Sequence, residues 1–356
     1  MSTTLLVFIA FVLFVLVIFQ LARTTEYVAH LRGEEKAQED ADKINGRLFM
    51  AFGIIGMIAL IWSVYHYMPY MNLHAASKHG VDLDSMFNVT LFFTGIVFVA
   101  TQLMMFYFVW KYKHTKERRA VYYPENNQLE MWWTIIPAIV LTGLVIIGIY
   151  RWFQITGPEP PDSMVVEVTG QQFAFNFRYP GKDGKLGNHE FEYIDAVNKV
   201  GIDLNDSASR DDFMAPTPEM HIVVNKPVLL RIRSKDVIHD VGIEYFRVKM
   251  DAVPGLTTRF FFTPTVTTEE MRKKNNNPDF AYEIACDQLC GRYHFSMRAT
   301  VVVETQQQFN EWASKQKSFY EAFVKGTDEE KRFAELTQQL KEKKEKESAK
   351  EVAHSE

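Results

Sequence analysis

Four apolar stretches run through the first 153 residues, at 5–22, 48–68, 86–110 and 132–153, and they leave little choice about what that part of the chain becomes. Each is free of Asp, Glu, Lys and Arg at its centre. Each also approaches or exceeds the ~20 residues that a helix rising ~1.5 Å per residue needs to cross ~30 Å of hydrocarbon. In lipid the backbone must satisfy its own polar groups, so such stretches are expected as membrane-spanning helices. Trp62, Tyr65, Tyr67, Tyr70, Trp110, Trp132, Trp133 and Trp152 gather at their ends, as amphipathic rings do at a bilayer surface. The first stretch is expected to be retained rather than cleaved as a secretory signal, since no Lys or Arg precedes it and its apolar run is longer than a typical signal core. A mean hydropathy of −0.13 hides all this, because the remaining residues are polar enough to offset the helices.

Basic residues orient the spans. Arg23, Arg32, Lys36, Lys43 and Arg47 follow the first stretch, and Lys111, Lys113, Lys116, Arg118 and Arg119 follow the third, whereas Lys78 alone lies between the second and third. Both chain ends are therefore expected outside, which in a bacterium places the C-terminal half in the periplasm.

From Gly157 the texture changes. Gly-Pro-Glu-Pro-Pro at 157–161 reads as a stiff linker. Short runs rich in β-branched and aromatic residues then follow at 165–169, 173–179, 220–224, 228–233, 260–263, 280–285 and 297–304, separated by turn signals such as Pro-Gly-Lys-Asp-Gly at 180–184. Many short strands without intervening helices imply a β-sandwich or Greek-key barrel. Beyond about residue 306 the pattern turns helical and ends in the charge run 341–347, read as a solvated helix or tail.

The net charge of −5, with no basic face, argues against nucleic acid as a partner. Only two cysteines occur, so a disulfide framework is excluded, and no Cys-x-x-Cys-His run offers a covalent haem site. Those two cysteines open the most informative run in the chain, Cys286-Asp-Gln-Leu-Cys290-Gly-Arg-Tyr-His294-Phe-Ser-Met297. Two thiols, an imidazole and a thioether are soft or borderline donors that select copper over magnesium or calcium. A disulfide would not require His294 or Met297, and a tetrahedral zinc site has no use for a thioether. A second histidine must come from elsewhere, and His239 is the candidate, placed at a loop just past the strand 228–233. His221 reads as an ordinary strand residue.

These residues carry a family resemblance. Asp236-Val-Ile-His239, then Phe246-Arg-Val-Lys-Met-Asp-Ala-Val-Pro-Gly255 and the Cys286–Met297 run, with Gln128-Leu-Glu-Met-Trp-Trp-Thr-Ile-Ile-Pro137 at the start of the fourth stretch, closely resemble subunit II of the haem–copper oxidases. The resemblance covers about residues 86–315. It implies a membrane-anchored all-β protein: a cupredoxin-like Greek-key β-barrel (162–305) on a transmembrane hairpin (86–156) through the linker (157–161), followed by a charged C-terminal helix or tail (306–356). Two additional helices with a cytoplasmic loop (1–85) extend beyond the usual hairpin, most simply as membrane anchors.

The resemblance also implies a binuclear copper (CuA) centre. Cys286 and Cys290 would bridge two copper ions, with His239 and Met297 completing one and His294 and the backbone carbonyl of Gln288 the other. Haem would lie only in the partner subunit I. With subunits I and III, the complex would take electrons from cytochrome c, reduce dioxygen to water and pump protons across a bacterial inner membrane. Glu130, three residues before Trp133, would mark the mouth of a proton pathway into subunit I; a helix N-terminus also favours a carboxylate for its own sake.

Two departures stand out. Gln288 replaces a common Glu, which spares the main-chain ligand but puts the family's magnesium in doubt. Gly170-Gln-Gln-Phe173-Ala-Phe175 replaces Gly-x-Gln-Trp-x-Trp, so Phe173 stands where the family's first Trp receives electrons. Residues 182–212 hold eight carboxylates against four basic residues, a local net of −4 that would steer a basic donor or be an ordinary acidic loop. Rival readings are the copper-bearing subunit of a nitric oxide reductase, a membrane-tethered copper-delivery protein, and a quinol oxidase subunit lacking copper. The delivery protein predicts a βαβ pattern, and the quinol oxidase predicts lost ligands.

Overall fold

The computed structural model describes residues 3–71, 73–115 and 117–355. Lys116, used above for orientation, lies outside them, as do the side chains of Arg32 and of Lys344 and Glu347 in the charge run. The chain divides into two units, residues 1–73 with 88–141, and residues 74–87 with 142–356.

Among the described residues, four helices are long and apolar enough to cross a membrane: α1 (Thr3–Arg32), α2 (Glu34–Met71), α3 (Lys78–Lys111) and α4 (Asn127–Thr156). Each outruns its apolar stretch because the polar flanks keep helical geometry into the headgroup region. Within the first unit, Gly53 of α2 faces Phe106 of α3 so closely that an added Cβ would stand 2.4 Å from the ring. Phe49 and Phe52 flank the same ring at 5.1 and 6.2 Å. A residue without a side chain lets two backbones approach where lipid offers no hydrophobic drive.

The second unit is a two-layer β structure. One five-stranded sheet has the order β3-β2-β1-β5-β8, built from β1 (Met164–Gln171), β2 (Ala174–Tyr179), β3 (Phe213–Met214), β5 (Val228–Ser234) and β8 (Thr258–Phe262). The other has the order β4-β10-β9-β6-β7, from β4 (Glu219–Val223), β6 (His239–Ile243), β7 (Val248–Ala252), β9 (Tyr282–Ala285) and β10 (Arg298–Glu304). The expected Greek-key barrel takes the form of two sheets, with β1 parallel to β5 and β4 parallel to β10. Period-2 alternation turns Val166, Val168, Phe175, Phe177, Leu230 and Ile232 into the shared core, all nearly inaccessible to solvent.

Three strands escaped the sequence reading, β3, β6 and β7. The His-Asp-Val-Gly-Ile run of β6 contains Asp and Gly, which are poor strand formers, yet it is held by ladders to β7 and β9. His239 therefore opens a strand rather than lying on a loop. Phe173 is also not in a strand: it sits in the tight turn between β1 and β2.

The segment before α3 is built into this unit. Ala76 is fully buried; its N–H donates to Tyr245 O at 2.7 Å, and Thr265 N–H donates to Ala76 O at 2.8 Å. Arg247 then grips Asp84 with two hydrogen bonds of 2.8 Å. A further helix, α5 (Thr268–Lys274), is closed by a Thr267–Glu270 capping box.

The acidic segment 182–212 folds over the outer face of the first sheet, where it covers a buried charge cluster. Arg178 is fully buried and pairs with Asp212 and, at 3.5 Å, with Glu167, which Arg233 also approaches at 3.2 Å. Most carboxylates of the segment are spent on its own turns: Asp195 accepts from the N–H groups of Val197 and Asn198, Asp206 from Ala208 and Asn188, and Asp211 from Asp183. The C-terminal part packs on this segment. After α6 (Gln306–Ser314), α7 (Asp328–Ser355) docks its first turns, with Phe333 against Tyr193 at 4.7 Å and Arg332 paired with Asp195 at 3.2 Å. The tail is helical as expected, and its beginning is anchored.

Candidate metal centre

The loop from β9 to β10 carries the Cys286–Met297 run, and it is closed on itself by Cys286 N–H donating to Met297 O at 3.1 Å. A short 3-10 turn at His294–Ser296 points the end of the loop back toward its start. Both thiols are free and buried. Their sulfurs lie 3.9 Å apart, too far for a disulfide.

Donors surround this pair. His239 Nδ1 lies 3.9 Å from Cys286 Sγ, and the carbonyl oxygen of Gln288 lies 3.2 Å from the same sulfur. On the other side, His294 Nδ1 is 3.6 Å and Met297 Sδ 3.9 Å from Cys290 Sγ. The ligand atoms of His239, Cys286 and Cys290 all lie within 4.8 Å of one another. The chain thus brings all six predicted donors together, although His239 is 47 residues from Cys286 in sequence.

A second layer of contacts fixes this arrangement. The buried His239 ring donates from Nε2 to Asp236 Oδ1 at 2.7 Å, which leaves the Nδ1 lone pair facing the sulfurs. Asp236 in turn accepts from Gln172 N–H at 2.8 Å and Val237 N–H at 2.7 Å. Burial works against its charge, but the Gln172 amide, the His239 ring and the Val237 amide together hold its pKa below the usual carboxylate range. Gln172 also donates from its side chain to Cys290 O at 2.6 Å, which ties the β1–β2 turn to the metal loop. Gln172 stands in the Gly-x-Gln pattern quoted above, but its role exists only once the turn and the loop meet.

Burial, and then the neighbouring Cys286 thiol, push Cys290 up to about 11. The Cys290 thiol is thus protonated at neutral pH, and metal binding there would release its proton. Two thiols, two imidazole nitrogens, a thioether and one carbonyl, gathered around the two buried cysteines, make a donor set that fits copper.

The other predicted residues sit elsewhere. Glu130 lies exposed in the first turn of α4, where Asn126 caps the helix by accepting from Leu129 N–H at 3.0 Å. His221 stacks on Trp312 at 4.0 Å and pairs with Glu304 at 3.0 Å, away from the copper donors. Phe173 meets Tyr293 edge-on at 5.4 Å.

Comparison with known proteins adds a second line of argument. The profile of the cytochrome c oxidase subunit II transmembrane domain matches residues 52–152, and that of the cytochrome c oxidase subunit II periplasmic domain matches residues 164–305. The chain is 34% identical over 272 residues to the alternative cytochrome c oxidase subunit 2 of Bradyrhizobium diazoefficiens, an alignment covering 76% of this chain and 93% of the relative. It is 25% identical over 248 residues to cytochrome c oxidase subunit 2 of Cereibacter sphaeroides, covering 67% and 77% of the two chains. Among solved structures, the periplasmic domain of subunit II of cytochrome oxidase from Bradyrhizobium japonicum aligns with 44% of this chain and 95% of its own length, at 23% identity and a TM-score of 0.30.

Proposed function

This chain belongs to the cytochrome c oxidase subunit II family, membrane-anchored oxidoreductase subunits of haem–copper oxidases with a periplasmic cupredoxin-like domain, and from that premise we propose that its Cys286–Met297 loop and His239 form a binuclear copper centre. One observation carries the reading: two imidazoles, a thioether and a main-chain carbonyl, drawn from two places in the chain, converge on two free, buried thiols. Cys286 and Cys290 would hold both ions, His239 and Met297 would complete one, and His294 and the Gln288 carbonyl would complete the other. When bound, the metal pair supplies a reversible one-electron couple between a cytochrome c-type donor and the haem of subunit I.

The chain's own residues make that couple fast. Asp236 holds His239 in one tautomer and one orientation, and the closed loop holds the remaining donors, so little has to move between oxidation states. Glu130, exposed in the first turn of α4, marks the proton mouth toward subunit I. The domain plan is 1–85 for two additional membrane helices, 86–156 for the hairpin, 157–161 for the linker, 162–305 for the copper domain and 306–356 for the tail. Helices α1 and α2 add two spans to the hairpin, which is supported by their length and composition.

The test is metal analysis with electron paramagnetic resonance on the full chain in detergent. Two coppers sharing one unpaired electron are expected; a single copper, or a spectrum of one isolated ion, overturns the assignment. Replacing Cys290 by Ser is expected to abolish the signal while circular dichroism keeps its strand content, and persistence of the signal contradicts the ligand set.

A further inference from the structure

The metal loop reaches the surface through a pair of aromatic rings. Phe173, in the β1–β2 turn, is half-buried and packs on the core cluster that includes Cys286, Cys290 and Met297. The ring of Tyr293 meets it at a centroid distance of 5.4 Å and an interplanar angle of 80°, an edge-to-face contact of the favourable kind. Tyr293 directly precedes His294, and 49% of it is open to solvent. The pair is therefore continuous from solvent to a metal-ligating residue.

The contact is built rather than incidental. Gly291 has a φ of +135°, and a Cβ added there would stand 3.2 Å from Phe173 Cζ and 2.9 Å from Gln172 Nε2. Only glycine lets the loop close on the turn at this point. The 2.6 Å hydrogen bond from Gln172 to Cys290 O locks the two segments together, so Tyr293 cannot drift from the ring beneath it without opening the metal loop.

From this geometry we infer that Tyr293 is the surface contact at which the haem protein that donates electrons docks and through which its electron passes toward the metal loop, with Phe173 as its backing; this rests on the copper reading above. Electron tunnelling weakens steeply with distance and across gaps, so a rigid ring in van der Waals contact with the loop shortens the gap that a docked haem edge must bridge. Exposed aromatic anchors on a rigid base are also where binding energy concentrates at interfaces. The step moves one electron from a ferrous haem, which is oxidised, to the metal pair, which is reduced, with no bond made and no proton transferred. The Arg292 guanidinium lies 5.6 Å from the centroid of the Tyr293 ring, and a cation there opposes removal of an electron from that ring. Tyr293 thus acts as a contact and a tunnelling medium, and its hydroxyl is dispensable.

The test uses the intact oxidase carrying Tyr293→Phe, Tyr293→Ala or Tyr293→Leu, with a reduced soluble mono-haem cytochrome c as probe. Rapid mixing reads the bimolecular rate of haem oxidation, equilibrium binding reads the dissociation constant, and paramagnetic resonance with redox titration reads the metal pair. Tyr293→Ala and Tyr293→Leu are expected to slow haem oxidation at least about tenfold and to weaken donor binding, as loss of an aromatic anchor does, with copper content, spectrum and potential unchanged. Tyr293→Phe is expected to stay close to the unsubstituted enzyme. An unchanged rate in both ring-deleting variants overturns the inference, as does Tyr293→Phe as slow as Tyr293→Leu. A missing paired-copper spectrum in the unsubstituted oxidase overturns the copper reading itself, and this inference with it.

Discussion

Replacing Asp236 by Ala tests whether the second layer of the site, rather than the donors alone, sets its metal affinity. The carboxylate accepts three hydrogen bonds, from His239 Nε2 at 2.7 Å, Gln172 N–H at 2.8 Å and Val237 N–H at 2.7 Å. The two amides lie at the surface and can turn to water. His239 cannot, because it is wholly buried. Its ring N–H would lose its acceptor at a desolvation cost of about 1–3 kcal/mol, or the ring would flip or change tautomer and withdraw Nδ1 from the sulfurs. Loss of the partner that orients a ligating histidine lowers metal affinity by roughly 10–100-fold, which is about 1.4–2.8 kcal/mol. The two estimates agree in size. Copper affinity should be measured by competition with a chromophoric chelator, with circular dichroism as the check on folding. Asp236→Asn keeps an acceptor of the same shape and should retain most of the affinity. Wild-type copper affinity in the Ala variant would refute the argument that Asp236 holds His239 in place.

Further outcomes follow from the same structure. Arg178→Met should destabilise the periplasmic domain by about 3–5 kcal/mol, since it strands the buried carboxylate of Asp212 and leaves Glu167 with Arg233 as its cation; thermal unfolding measures it, and a loss under about 1 kcal/mol would mean the cluster is not held by charge. His189 is pushed down from 6.5 to about 4, first by burial and then by Arg233, so the folded state keeps it neutral. Its unfolded form takes up a proton first, so its contribution to stability is present above about 6.5 and is lost as pH falls toward about 4. His189→Gln should flatten that slope in unfolding experiments, and an unchanged slope would assign it to other groups. Glu130→Gln should slow steady-state turnover while leaving the reduction of the copper pair by cytochrome c untouched; slowed copper reduction would argue against a proton role.

Whatever is written in local order can be read from the residues alone. Charge-free apolar runs dictate helices because lipid forbids any other backbone, and the strand-rich half follows from alternation. The Cys286–Met297 run was legible because four side-chain donors and one main-chain donor fall within a single loop. What is brought together from afar emerges with the packed fold. His239 joins a ladder whose partners, β7 and β9, lie later in the chain, and its Asp and Gly neighbours masked the strand. Ala76 enters a core that is assembled from residues more than a hundred positions away, and the acidic segment becomes a lid over Arg178 instead of a free charged loop. Gln172 and Tyr293 acquire their contacts only when the β1–β2 turn meets the metal loop. Periodicity and spacing report on neighbours along the chain; burial and hydrogen-bond partners across it are settled by packing, where the energy of each contact depends on all the others.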